Sequence, residues 1–171
     1  ERAMKLIVNA DRQWNIGSGN DLIFHIPEDM KFFRAETMGK TVIMGRKTLD
    51  SFPGGKPLKN RENIVLTRDA DFERDGAVIC HSAEEVLDRI KNYNSDDVYV
   101  IGGEKIYALF LDKCDTALVT RVDAVAEKAD KKFPDLSLHP EWKLISKSET
   151  KEHDGIKFNF CEYRKEKQDE F

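Results

Sequence analysis

Glycine and cationic residues follow two short apolar runs of the 171-residue chain, at 42–48 (VIMGRKT) and 100–107 (VIGGEKIY). In an open α/β sheet, ligands bind beyond the carboxyl ends of strands, where glycine lets a phosphate approach the backbone and a helix begins with unpaired N–H groups. Neither segment is a G-x-G-x-x-G or Walker A motif, so each one alone fits an ordinary tight turn better. Two such segments in one small domain, with Thr67 and Arg68 after a further strand, favour a dinucleotide that carries several phosphates.

Asp29 is the second position that could do chemistry. It follows Pro27 at the predicted start of a helix and shares a helix face with Phe32 and Phe33, with Met30 toward the same side. A solvated carboxylate that favours the helix dipole explains this position equally well. Alternatively, Asp29 lies in an apolar pocket, where its pKa would rise and it could bind a cationic or amidine-like ligand edge through two hydrogen bonds.

A long segment with few periodic apolar residues, 11–26, separates the first predicted strand from this helix. It contains Trp14 and the sequence 15–20 (NIGSGN). Long loops in this position are often functional, so we predict either a lid over a binding site or an exposed connection without a role.

The remaining chain alternates β-branched runs with helical patterns. Strands are predicted at 5–10, 41–45, 63–67, 77–80, 97–101, 115–122, 142–149 and 157–164, and helices at 27–38, 46–51, 82–90 and 104–111. This alternation predicts an α/β fold with a mostly parallel sheet and helices on both faces. The last two strands have no helix between them, which predicts an antiparallel C-terminal edge.

Composition and charge exclude several classes of protein. With 35% charged and 40% hydrophobic residues, the chain is typical of a soluble globular domain rather than a disordered or membrane protein. The net charge of -4 disfavours a general nucleic-acid binder. Cys80, Cys114 and Cys161 show no C-x-x-C spacing and no grouping with histidines, so we predict buried, reduced thiols and no metal site.

The chain resembles the bacterial dihydrofolate reductases from about Lys5 to Arg164. The segments that carry the resemblance are, in order, 16–17 (IG), 26–33 (IPEDMKFF), 42–48 (VIMGRKT), 57–61 (PLKNR), 100–103 (VIGG) and 133–134 (FP). Each segment is modest alone, whereas their order and spacing together are specific. The resemblance implies a three-layer α/β fold with an eight-stranded, mostly parallel central sheet, an antiparallel C-terminal edge strand and about four flanking helices.

The resemblance also implies a reaction, the NADPH-dependent reduction of 7,8-dihydrofolate to 5,6,7,8-tetrahydrofolate, which supports one-carbon metabolism and thymidylate synthesis. Asp29 would hold the pterin 2-amino group and N3 and, with an ordered water, favour protonation of N5. Arg61 would bind the α-carboxylate of the glutamate tail with its guanidinium fork. The other implied substrate-binding residues are Ile7, Val8, Met30, Phe33, Phe52, Leu58, Ile101, Tyr107 and Thr120.

An NADPH site on the two glycine segments is implied as well. Arg46, Thr67 and Arg68, with Lys105, would surround the adenosine 2′-phosphate, and this cation cluster favours NADPH over NADH. The implied cofactor-binding residues are Val8, Ile16, Gly17, Asn20, Leu22, Gly45, Arg46, Lys47, Thr48, Leu66, Thr67, Arg68, Ile101, Gly102, Gly103, Glu104, Lys105, Ile106 and Tyr107.

Three features depart from the family pattern. Phe24 stands where tryptophan is frequent, and it keeps an apolar wall but loses the indole N–H that would anchor an ordered water. Leu22 takes the place of a frequent methionine in the lid; with Phe24 and Asp29, it completes the predicted catalytic set. Segment 123–134 is one residue longer than in well-known bacterial members, which puts in doubt the register that would let Asp130 bond the lid near Gly17.

Two other functions are weighed against this one. The reductase domain of riboflavin synthesis has the same architecture and also uses NADPH, but its substrate offers neither a pterin ring for Asp29 nor a glutamate tail for Arg61. A deaminase domain often accompanies it, and 171 residues leave no room for one. A catalytically inactive nucleotide-binding module would not require the lid, the carboxylate and both glycine turns together.

The expected protein is a cytoplasmic monomer that binds dihydrofolate and antifolates such as trimethoprim and methotrexate, with no nucleic-acid or membrane partner. One domain is predicted at 4–165, with 1–3 as an expression remnant and 166–171 as a charged tail.

Overall fold

The computed structural model describes residues 3–17 and 24–166. The main sheet contains β1 (Met4–Ala10), β3 (Thr41–Gly45), β4 (Glu62–Leu66), β5 (Ala77–Cys80), β6 (Val98–Gly102), β7 (Cys114–Val122), β9 (Trp142–Lys147), β10 (Lys151–His153) and β11 (Ile156–Lys165). A separate ladder pairs β2 (Asn15–Gly17) with β8 (Lys131–Lys132). The helices are α1 (Pro27–Thr37), α2 (Arg46–Ser51), α3 (Ala83–Ile90) and α4 (Glu104–Phe110).

The main sheet runs in the order β10-β11-β7-β1-β6-β3-β4-β5, with β9 also paired to β11. Every pairing from β7 through to β5 is parallel, whereas β11 is antiparallel to its neighbours β7, β9 and β10. Because β9 and β10 pair with different halves of β11, together they act as one interrupted edge strand. The predicted mostly parallel sheet with an antiparallel C-terminal part is confirmed.

Side-chain alternation along the strands divides the core between the two faces of the sheet. On one face, Leu6 and Val100 pack with residues of α3 and α4 such as Val86 and Phe110. On the other, Ile7 packs with apolar residues of α1 and α2. The helices therefore cover both faces, which confirms the predicted three layers.

Local sequence signals mark the ends of two helices as predicted. Ser82 caps α3, because its Oγ accepts a hydrogen bond from the Glu85 N–H at 3.1 Å. The Glu85 carboxylate in turn accepts from the N–H of His81, one residue before the cap, at 3.0 Å. Gly39 follows α1 with a φ of +75°, a conformation that glycine adopts without steric cost.

The segment after β1 differs from the continuous loop that the sequence predicts, because Asn15–Gly17 forms β2 against β8. Next to this ladder, the N–H of Asp130 donates to the Gly17 carbonyl oxygen at 3.1 Å. The extra residue of segment 123–134 therefore leaves this contact in place. Asn20 and Leu22, two residues predicted to line the site, lie outside the described residues.

Two of the absences expected from the sequence can be examined in the described part of the chain. Cys80, Cys114 and Cys161 are buried and form no disulfide there. None of the helices described is long and apolar enough to cross a membrane.

Candidate functional site

Asp29 lies in the first turn of α1, above the point where β1 and β7 run side by side. Asn9 of β1 and Thr120 of β7 are register partners across that strand pair. The Asn9 amide Nδ2 donates to Asp29 Oδ2 at 2.8 Å, and the Thr120 Oγ1 donates to Asp29 Oδ1 at 2.5 Å. The two strands thus form a seat for the carboxylate, in which each oxygen accepts one hydrogen bond. We call Asn9 and Thr120 the Asp29 seat.

Burial raises the pKa of Asp29 above its ordinary value, against the opposing effect of the hydrogen bonds from Asn9 and Thr120. The side chain is still partly accessible, so a ligand can reach it. Of the two sequence interpretations, this burial agrees with a carboxylate in an apolar pocket rather than with a solvated one, and the role of Asp29 in ligand binding stays a prediction.

Apolar side chains lie on the same face of the sheet as this carboxylate. Ile7, Ile101 and Leu118 belong to one buried cluster on the strands, and Phe33, Phe52 and Leu58 pack against that cluster from α1 and the segment after α2. The structure thus brings together most of the predicted pterin wall, which is apolar and only partly covered.

Two predicted wall residues lie elsewhere. Val8 belongs to the cluster on the opposite face, because successive side chains of a strand point to opposite sides of the sheet. Met30 is 51% exposed on α1 and is not part of the apolar cluster. Phe24, predicted beside the reaction centre, packs against the cluster of Ile26, Val122 and Phe158.

Tyr107 of α4 reaches across to β1 below the pocket. Its hydroxyl donates to the Ile7 carbonyl oxygen at 2.6 Å, and the side chain is buried. Burial, and next the negative charge of Asp29, raise the pKa of Tyr107, so the phenol remains a neutral donor. This bond fixes α4 to the strand that carries Asn9.

Arg61 lies at the far end of α1 and is held in a defined position. Its Nε donates to Thr37 Oγ1 and its Nη1 to the Lys59 carbonyl oxygen, both at 2.9 Å. Burial, and next the nearby charge of Arg34, lower the pKa of Arg61. These two bonds orient the guanidinium while using two of its five N–H donors.

The two glycine turns meet at the ends of the neighbouring strands β3 and β6. A side chain at Gly45 would place its Cβ 3.1 Å from Ile106 Cγ1, and one at Gly103 would lie 3.6 Å from Thr48 Oγ1. Neither α2 nor α4 has a side-chain cap at its first turn. The two turns therefore lie close together, and a Cβ at Gly45 would crowd Ile106 of α4.

Arg46, the first cation after Gly45, is already paired with acidic groups. Its guanidinium lies 3.2 Å from Asp69 Oδ2 and 3.7 Å from Asp50 Oδ2, and it stacks over Phe72 at 4.4 Å. The sequence predicts a cluster of cations here, and the structure pairs one of them, Arg46, with two carboxylates. Lys47, Arg68 and Lys105 are exposed around the same strand ends, and Thr67 and Leu66 are half-buried.

We call residues 11–17 together with the paired strand β8 the lid base. It is hydrogen-bonded to Glu104 of the second glycine turn and, through Asp11, to Ala126. The Glu104 carboxylate, predicted to contact the cofactor, accepts a hydrogen bond from the Lys132 N–H at 2.6 Å. Asp11 is fully buried and accepts from the backbone N–H groups of Gln13, Asn15 and Ala126. These bonds lower the pKa of Asp11, although burial alone would raise it.

Ile16 and Gly17, also predicted at the cofactor, are buried within this lid base.

Three residues of the site were missed by sequence reasoning: Asn9, Asp11 and Asp69. Asn9 carries the clearest overlooked signal, because it is an amide inside the apolar run LIVNA. Nothing in the local sequence indicates the positions of Asp11 and Asp69, since their partners lie in other segments.

A known structure has the same fold. The structure superposes on a dihydrofolate reductase from Enterococcus faecalis, complexed with NADP(H) and RAB-propyl, with a TM-score of 0.86. Sequence identity is 28%, and the match covers 96% of this chain and 97% of that one.

Curated relatives include dihydrofolate reductases of Bacillus subtilis and Mycobacterium tuberculosis. The first is 36% identical over 152 residues, which is 88% of this chain and 87% of that protein. The second is 45% identical over 109 residues, which is 63% of this chain and 64% of that protein. The aligned part thus spans somewhat less than two thirds of the Mycobacterium tuberculosis enzyme.

The family model of dihydrofolate reductase matches residues 3–165. The fold is that of the dihydrofolate reductases. The chain belongs to the dihydrofolate reductase family, whose reaction is the NADPH-dependent reduction of dihydrofolate.

Proposed function

We propose that this chain reduces 7,8-dihydrofolate to 5,6,7,8-tetrahydrofolate with NADPH, and that Asp29 binds the pterin ring. The observation that carries the proposal is the half-buried Asp29 carboxylate, oriented by Asn9 and Thr120 at the edge of an apolar pocket. In the balanced reaction, C6 of dihydrofolate gains a hydride, N5 gains a proton and NADPH becomes NADP⁺. Bound NADPH supplies the hydride.

Asp29 retains the capacity to bind the pterin edge while it is seated. Each carboxylate oxygen has about two acceptor sites, and the Asp29 seat uses one on each oxygen. Asp29 can therefore accept from N3–H and from the 2-amino group together. A carboxylate that binds this edge favours protonation of N5 through an ordered water, rather than by direct transfer from its own oxygen.

Phe24 and Leu22 complete the proposed catalytic set as apolar covers. An ordered water beside Phe24 would have no side-chain N–H there to anchor it, because phenylalanine carries no polar atom. The proton therefore reaches N5 from water that is held by the substrate and the carboxylate.

Arg61 is proposed to bind the glutamate tail. Its guanidinium is fixed by Thr37 and Lys59, and the remaining donors suit a carboxylate in a bidentate arrangement. Because burial disfavours an unpaired charge, a carboxylate partner would stabilise Arg61 more than it would stabilise a fully solvated arginine.

The residues at the strand ends fit a phosphorylated dinucleotide. Gly45 and Gly103 let the two turns lie close together, and neither α2 nor α4 has a side-chain cap at its first turn. Thr48 and Lys105 would lie beside the pyrophosphate, and Arg46, Thr67 and Arg68 beside the 2′-phosphate. The apolar wall, with Ile101 and Tyr107, would exclude water from the nicotinamide side.

The proposal includes a cytoplasmic enzyme that acts as a monomer on small molecules, independent of nucleic acid. Size-exclusion chromatography with light scattering tests the monomer, since a mass near twice the chain's 19.7 kDa would contradict it.

Loss of absorbance at 340 nm in the presence of dihydrofolate and NADPH tests the activity. We expect Asp29→Asn to lower turnover by ~10²–10⁴-fold near pH 7, because it removes the ionised acceptor of the pterin edge. The affinity for NADPH, followed by protein fluorescence, is expected to stay within about twofold, since Asp29 is remote from the glycine turns. Absence of NADPH oxidation by the unmodified chain, or full activity of Asp29→Asn, would refute the proposal.

A further inference from the structure

Asn9 stands out because it is a polar side chain within the apolar run 6–10 (LIVNA) of β1, and it contacts the Asp29 carboxylate. Its Nδ2 lies 2.8 Å from Asp29 Oδ2. We propose that Asn9 is a positioning residue for the reductase reaction, which orients the Asp29 carboxylate and holds it in the ionised form that receives the pterin edge. This inference rests on the function proposed for Asp29.

The geometry of the sheet makes Asn9 a rigid donor. It lies on β1, between β6 and β7, and its side chain shares the sheet face of Ile7, two residues earlier. Its register partner Thr120 holds the other carboxylate oxygen. Two bonds from two strands restrict rotation of the carboxylate, which a single bond would leave able to turn about its Cβ–Cγ axis.

The chemistry of the pair fixes the charge state as well as the orientation. An ionised carboxylate can only accept hydrogen bonds, so Asn9 must present its NH₂ group to Asp29 rather than its oxygen. A neutral amide donor favours the ionised form over the protonated form. A protonated Asp29 would have one oxygen that donates, and it could not accept two N–H groups of the pterin in the same way.

Few other groups can stabilise this charge. Asn9 donates from β1, Thr120 donates from β7, and the titratable group coupled to Asp29 from α4 is Tyr107, whose hydroxyl is committed to the Ile7 carbonyl oxygen. Within residues 3–17 and 24–166, no cationic side chain forms an ion pair or hydrogen bond with Asp29. Burial already raises the pKa of Asp29, so removal of one of two neutral donors raises it further.

The test compares three substitutions. Asn9→Leu removes the donor at similar size, and Asn9→Asp keeps the shape but places a second carboxylate at the same position. Asn159→Leu is the matched control, because Asn159 is also a half-buried strand amide but donates to Ser148 O and Thr150 Oγ1, which lie between β9 and β10.

The first measurement is the titration of the Asp29 carboxyl carbon by ¹³C NMR, with its resonance assigned by its absence in Asp29→Asn. We expect the midpoint to move to higher pH in Asn9→Leu. In Asn9→Asp, the two carboxyl groups would titrate as a coupled pair with at least one midpoint raised. Asn159→Leu is expected to leave the midpoint in place.

The second measurement is the pH profile of kcat/KM for dihydrofolate. We expect Asn9→Leu to lower kcat/KM by up to about tenfold between the original and the raised midpoint of Asp29, where more of the carboxyl is protonated, and by less at the upper end of the pH range. The Kd for NADPH is expected to stay within about twofold, as in the control.

An Asp29 midpoint that stays unchanged in Asn9→Leu or Asn9→Asp overturns the proposal, even if activity falls. If Asn9→Leu does not fold, Asn9→Asp decides the question on the same readout. Should the unmodified chain fail to reduce dihydrofolate, the proposed function fails, whereas the NMR titration still reports whether Asn9 controls the ionisation of Asp29.

Discussion

The Asp29 seat and the environment of Arg46 treat a single charge in opposite ways. Asp29 is half-buried among apolar side chains and bonds to two neutral donors from the central strands. Arg46 is exposed and lies between Asp50 and Asp69, with Arg74 as a second cation on the same Phe72 ring.

This difference predicts where mutation has consequences. Charges in a pocket of low dielectric interact strongly, so the loss of one hydrogen bond to a buried charge changes its free energy substantially. Exposed charges are screened by water and salt, so that a pair contributes at most ~1 kcal/mol. Ligand binding at the proposed pterin site around Asp29 should therefore depend on individual hydrogen bonds. Binding at the proposed phosphate site around Arg46 should depend on the sum of several weak contributions.

Arg61 carries a charge whose environment is intermediate between these two, since it is partly buried and held by two hydrogen bonds. We expect Arg61→Ala to weaken methotrexate, which carries a glutamate tail, by ~10–100-fold, because charge-assisted bonds to the tail are lost. Trimethoprim has no such tail and should lose less than about threefold. Competitive inhibition assays measure both, and equal losses for the two inhibitors would contradict the assignment of Arg61.

Asp29→Asn should stabilise the fold while it removes activity. Because burial raises the pKa of Asp29, the ionised carboxylate destabilises the folded state at pH values above that raised pKa. The Asn9 amide can turn and the Thr120 hydroxyl can rotate, so both can bond the new amide. We expect a gain of about 1 kcal/mol, or ~2–4 °C in Tm, at pH 7.

The pH dependence gives this prediction its sign. Below the ordinary pKa of 3.8, Asp29 is protonated in folded and unfolded chains alike, so the penalty is absent there. The difference in Tm between Asp29→Asn and the unmodified chain should thus be constant above the raised pKa and shrink as pH falls through it toward 3.8. A difference that grows on acidification, in calorimetric scans, would be the opposite of the expectation.

Asp69→Asn should have the smallest effect and sharpen the contrast. Asp69 lies 3.2 Å from Arg46, so its removal frees the cation for a phosphate and removes a repelling charge. We expect the Kd for NADPH to fall by about two- to fivefold, with less change for NADH and a weaker effect at 0.5 M salt. Asp71→Asn is the control, and an equal gain there would indicate only a general change of net charge.

Much of the fold could be predicted from the sequence, because the strands are apolar runs and helix ends carry recognisable capping patterns. The capping pattern of Ser82 and Glu85 and the strand at 41–45 are local signals, and the structure has both. The ladder of β2 with β8 was not readable, since a strand of two residues such as Lys131–Lys132 has no periodicity to detect.

Some residues of the candidate site could likewise be predicted from local sequence, and others could not. Asp29 could be singled out because its helix partners lie three and four residues away in sequence. Its seat could not, because Asn9 and Thr120 become neighbours only through the order and register of β1 and β7. Likewise, the pairing of Arg46 with Asp69 depends on where two strand ends meet, which sequence spacing does not specify.

The order of the strands also bears on synthesis. Thr120 is 91 residues beyond Asp29, and β7 is the neighbour that completes the surroundings of β1. A chain growing on the ribosome therefore carries Asp29 and Asn9 long before their second partner emerges. Until then, the carboxylate would face water where Thr120 will bond it. A ligand that requires the fully bonded carboxylate would therefore find its site only after β7 has emerged.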